Sequence, residues 1–129
     1  MDQFSLETPK EGFIDITAKV KELVSCSHIK QGICQVFVPH TTAGITINEN
    51  ADPDVVTDML EAFEHMVPKL AYRHMEGNSP AHVKSSIVGC SINVPVVDNS
   101  LLLGTWQGIY FCEFDGPRQR KVFVQVVGA

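Results

Sequence analysis

A chain of 129 residues that is 44% hydrophobic and 19% charged fits one domain, which buries roughly two-thirds of its unfolded surface without cross-links. That composition excludes the disordered and fibrous classes, and no apolar run approaches the ~20 residues that cross a bilayer. Ten basic against fifteen acidic residues, a net charge of −5, argue against nucleic acid as a partner, because duplex binding needs a basic face.

In chain order, Gln3 to Glu7 alternates weakly and suits an edge strand. Asp15 or Thr17 can cap a first helix whose apolar positions Ile16, Val20, Leu23 and Val24 keep helical spacing and which stops near Ser25 to His28. Ile33 to Val38 and Ile45 to Ile47 read as strands. A second helix starts with Asp52 as N-cap, Pro53 at the first helical position and Asp54 against the helix dipole. It carries Val56, Met59, Leu60, Phe63 and Val67 on one face and ends at Pro68.

From Ser85 onward the pattern predicts strands: Ile87 to Val94 ended by Pro95, a turn at Val97 to Ser100, and a short strand at Leu101 to Leu103. Gly108 to Phe114 and Val122 to Val127 follow, joined by a tight turn at Asp115-Gly116-Pro117. Short strands with hairpin-length links imply an α+β fold. An antiparallel sheet or sandwich packs with two main helices in a single domain spanning 1–129. Cys26, Cys34, Cys90 and Cys112 form no CxxC pair, and the last three sit in apolar runs as small hydrophobes. With a polar beginning unlike a secretory leader, the expectation is a reduced, soluble, cytoplasmic protein.

Polar residues concentrate at Pro39 to Gly44, His74 to His82, Gly104 to Gly108 and Glu113 to Arg118, at strand ends and in connections, where binding groups usually lie. His28 and His65 read as helix-terminal and surface residues. His40, His74 and His82 stand among small polar and acidic neighbours, and neutral imidazole is the commonest metal ligand. Three histidines with an open position suit a divalent ion such as zinc. Glu76 could ligate, orient a histidine or act as a base.

Lys84 follows His82 by two positions and in a strand would face the same way, and Arg118 leaves a Gly-Pro turn with a guanidinium suited to phosphate. Glu113 and Asp115 either bind Mg²⁺ with a pyrophosphate or pair with Arg118. Trp106 could stack on a flat ring or belong to the core. Thr41, Thr42, Asn78, Ser79 and Gln107 supply further polar contacts. No P-loop, GxGxxG or nucleophile motif is present.

At these same loops the sequence resembles the YjbQ-like family, labelled a secondary thiamine-phosphate synthase family. The matching segments are Asp15 to Thr17, His40 to Gly44, Asn48 to Asp54, His74 to His82, Leu103 to Gly108 and Glu113 to Arg118. The resemblance implies a compact α+β fold, a homotrimer, and a metal, often zinc, held by His40, His74 and His82. It also implies a weak ability to make thiamine monophosphate, a thiazole phosphate nitrogen displacing pyrophosphate from an aminopyrimidine methylene. Three functions follow for testing: a metal-assisted transferase on a phosphorylated small molecule, a metal-dependent hydrolase with Glu76 as base, and a non-catalytic metal-binding trimer.

Overall fold

The computed structural model describes residues Met1–Ala129. In chain order the elements are β1 (Asp2–Glu7), β2 (Gly12–Asp15), α1 (Thr17–Ser27), β3 (Gln31–Phe37), β4 (Ala43–Glu49) and α2 (Pro53–Met66). They continue with α3 (Ser79–Val88), β5 (Ser91–Val97), β6 (Ser100–Leu101), β7 (Gln107–Glu113) and β8 (Gln119–Gly128). The strands form two antiparallel sheets, ordered β1-β8-β3-β5-β6 and β2-β7-β4. The α+β reading holds. No helix is long and apolar enough to cross a membrane.

The layers follow from strand alternation. Cys34 and Val36 of β3, Val96 of β5 and Val122 and Val124 of β8 meet Ile45, Ile109 and Phe111 of the smaller sheet, with Ile16, Val20 and Val24 of the α1 segment packed among them. The opposite residues of β7, Tyr110 and Cys112, join Phe114 and Ala81 in a second cluster. Phe13, Val56 and Phe63 bring β2 and α2 onto it. The outer face of the larger sheet is left uncovered.

Local chemistry explains the ends. Asp15 accepts from both the backbone N–H and the hydroxyl of Thr17 at the start of α1, and Asp52 accepts from Asp54 N–H at the start of α2. The turn between β5 and β6 puts Asp98 and Asn99 at positive φ, as a two-residue hairpin requires. The Asn99 amide then donates to Val24 O and Ile29 O.

The region 79–94 corrects the expectation of one strand from Ile87 and of only two main helices. Residues 79–88 form a third helix, begun by Ser79-Pro80 and stopped by Gly89 at φ 95°. Its buried face carries Ala81, Lys84 and Ser85, while Ile87 is 51% exposed. The helix turns small and polar residues inward and leaves Val83 and Ile87 exposed, so apolar periodicity misplaces it. Pro95 does not end β5 either: it lies within it, opposite Ile33. Its carbonyl accepts from Leu102, so its missing N–H faces the short β6 side and interrupts no bond to β3.

Candidate functional site

One open cavity of about 380 Å³ has a mostly polar lining: Pro39, His40, Thr41, Thr42, His74, Glu76, Asn78, His82, Arg118 and Arg120. The β3–β4 connection supplies the first four, the link between α2 and α3 supplies His74, Glu76 and Asn78, α3 supplies His82, the β7–β8 turn supplies Arg118 and the start of β8 supplies Arg120. All three histidines singled out from sequence thus line one cavity. His74 and His82 are neighbours, with ring centroids 5.5 Å apart at 71°.

His40 is held differently. Its Nε2 accepts from the Lys121 backbone N–H at 2.9 Å, so the neutral ring carries its proton on Nδ1. Burial, with Arg120 and Arg118 nearby, lowers its pKa below 6.5 and favours that neutral ring. No three His, Cys, Asp or Glu side chains come together closely enough to hold a metal ion. The donor types suit zinc, and His74 and His82 form a ready pair. His40 can join them only by exchanging its bond to Lys121.

Behind this wall stands a buried network. Glu113 is 0% exposed and accepts from Arg120 Nε at 2.8 Å, Arg120 Nη2 at 2.5 Å, the Thr8 hydroxyl at 2.5 Å and Asp115 N–H at 3.0 Å. Burial alone would raise its pKa, but the hydrogen bonds from Arg120 and Thr8 outweigh that and hold it below the usual carboxylate range. Asp115 is lowered in the same way: burial opposes, while the Asn78 amide at 2.9 Å and Arg118 at 3.0 Å prevail. The two acids therefore pair with arginines. Gly116 keeps this turn in place, since a Cβ there would lie 1.9 Å from Pro9 O.

Several expected site residues lie elsewhere. Lys84, on a helix and not a strand, does not share the face of His82. It is buried between Glu64 (2.7 Å) and Glu11 (2.9 Å), near the Phe114 ring. Those partners overcome the burial that disfavours its charge, and its pKa is raised. Trp106 is 63% exposed rather than in the core. It precedes the Gln107 end of β7, while the cavity lies at the Glu113 end, about 20 Å away along the strand. The Gln107 side chain closes a turn by accepting from Gly104 N–H. Ser79 starts α3 without reaching the lining. Cys90 is exposed, whereas Cys34 and Cys112 are buried; burial pushes the Cys34 thiol up to about 11 and raises Cys112 as well.

Arg120 is the residue that sequence reasoning missed. A signal was present, because Arg120 alternates with Val122 and Val124 and so shares their inward face. A buried charge at such a position demands a partner.

The family model described as UPF0047 protein YjbQ-like matches residues 2–129. The chain is 51% identical over 128 residues to a UPF0047 protein of Methanocaldococcus jannaschii, covering 98% of this chain and 93% of that one. It is 53% identical over 123 residues to the UPF0047 protein YugU of Bacillus subtilis, covering 94% and 93%. A crystal structure of a YjbQ/UPF0047 family protein from Clostridium acetobutylicum superposes with a TM-score of 0.95 at 53% identity, covering 98% of this chain and all of that one. The chain belongs to the YjbQ-like UPF0047 family.

Proposed function

We propose that the cavity is the active site of a metal-binding transferase acting on phosphorylated small molecules, with thiamine-phosphate formation as a weak, secondary activity. The observation that supports this most is the placing of Arg118 and Arg120 on the same polar wall as His40, His74 and His82. In the reaction, the thiazole phosphate nitrogen bonds to the aminopyrimidine methylene carbon as the carbon–oxygen bond to pyrophosphate breaks. The electron pair leaves with pyrophosphate. Arg118 and Arg120 offer donors where negative charge grows, the kind of interaction that lowers such a barrier. Thr41, Thr42 and Asn78 offer hydrogen bonds for orientation. His74 and His82, joined by His40, would hold a divalent ion of the zinc type, which supplies further positive charge when bound. A magnesium ion accompanying pyrophosphate is a second possibility for the same reaction.

A hydrolase reading draws on Glu76, which lines the cavity and would serve as the base toward water. Metal-loaded protein given the aminopyrimidine pyrophosphate and thiazole phosphate should form thiamine phosphate, and Arg118→Gln should slow it. Release of phosphate from simple phosphoesters without thiamine phosphate would favour the hydrolase. Neither turnover would leave a non-catalytic metal-binding protein.

We also propose a homotrimer in the cytoplasm. The uncovered sheet face carries Ile33, Phe37, Val97 and Val127 exposed, with Phe37 stacked on Phe123, apolar area of the kind that subunit contacts cover. All four cysteines are free, as a reducing compartment keeps them.

A further inference from the structure

Arg120 is a charged residue only 4% exposed, and its five N–H donors can be accounted for one by one. Nε–H and one Nη2–H go to Glu113, and the other Nη2–H is shared between the Thr42 hydroxyl at 2.9 Å and the Thr42 carbonyl at 3.4 Å. Nη1, with two N–H groups, has no protein acceptor. The only buried side-chain polar atom without a partner is Asn78 Oδ1, so Nη1 is not buried. Arg120 lines the cavity, so Nη1 is the edge it can offer there.

Arg118 repeats the arrangement two positions earlier. Its Nε donates to Asp115 O and its Nη2 to Asp115 Oδ2, which again leaves Nη1 unspent. The carboxylates cancel much of the charge of both guanidiniums but fix their planes. What the wall presents is therefore a set of aimed donors. Directed N–H pairs on a fixed plane match the oxygens of a phosphoryl group.

We propose that Arg120 is the residue that recognises the phosphoryl or pyrophosphoryl group of the ligand, with Glu113 and Thr42 as positioning residues that aim its Nη1. This rests on the reading of the cavity as a site for a phosphorylated molecule. It separates the two arginines: Arg120 is the buried contact, held by two residues, and Arg118 the more exposed one, held by Asp115 alone. Fixing a side chain in advance removes its ordering cost from binding.

The test is pyrophosphate binding to the metal-stripped full chain, by calorimetry and by the nitrogen signals of arginine side chains. Arg120→Lys, which keeps the charge but loses the fork, should bind pyrophosphate about tenfold or more weakly, as loss of one charged hydrogen bond implies. The Arg120 guanidinium signals of the unaltered protein should shift on addition of pyrophosphate. If Arg120→Lys does not fold, that shift alone decides. Unchanged affinity in a folded Arg120→Lys, absence of any shift, or no binding at millimolar pyrophosphate overturns the proposal. Binding through Arg120 without turnover of any pyrophosphorylated substrate would sink the transferase reading and leave this one standing. Full turnover by Arg120→Lys would do the reverse.

Discussion

Arg120 and Glu113 meet side-on across neighbouring elements, Nε to Oε1 at 2.8 Å and Nη2 to Oε2 at 2.5 Å, both residues buried. This pair joins β7 to β8, although the two strands belong to different sheets, and it places a guanidinium edge at the cavity. One contact thus serves both the fold and the site.

Removing one partner of such a pair leaves the other charge buried and alone, which costs about 3–5 kcal/mol. Glu113→Gln should lower the urea midpoint by that equivalent. The pH dependence has a defined sign. The folded pKa of Glu113 lies below 4.5, so its contribution is full above the unfolded pKa and is lost as pH falls through the folded one. Urea titrations from pH 7 to pH 3 should show stability falling below pH 4.5, with a shallower fall in Glu113→Gln.

Lys84 joins α3 to Glu64 of α2 and to Glu11 of the β1–β2 link. Lys84→Met should destabilise the chain by about 1–3 kcal/mol through lost charged hydrogen bonds. Pyrophosphate affinity should stay unchanged, because the ammonium is spent on carboxylates outside the cavity lining. A parallel loss of affinity and stability would place Lys84 in the site after all.

Zinc binding by three histidines must break the His40–Lys121 bond. Zinc added to metal-free protein should therefore shift the Lys121 amide resonance, and His82→Ala should lose most bound zinc in a metal analysis. A Lys121 amide that stays in place while zinc binds would mean that His74 and His82 act without His40.

Phe37 and Phe123 stack with centroids 6.4 Å apart on the uncovered sheet face. A charge placed there should oppose association while leaving the core intact, since Phe37 lies outside the packed layers. Sedimentation of Phe37→Glu should give a monomer where the unaltered chain gives a trimer. Identical sedimentation of both would remove this face from the assembly.

The sequence by itself determined what depends on near neighbours. Asp52-Pro53-Asp54 sets the start of α2 through its own cap bond, and alternation in β3 and β8 sorts inward from outward side chains, because a strand's period of two is local. The histidines were legible because each stands among small polar residues, away from the apolar runs that pack the core. Tertiary structure alone decided the rest. Residues 79–88 are helical because Ala81, Lys84 and Ser85 bury against partners distant in the chain: Glu11, Glu64 and the Ala43 carbonyl. Arg120 belongs to the site because Glu113 and Thr42 come to it from other strands and connections. Lys84 and Arg120 are both buried cations, and only their distant partners send one to the scaffold and the other to the cavity.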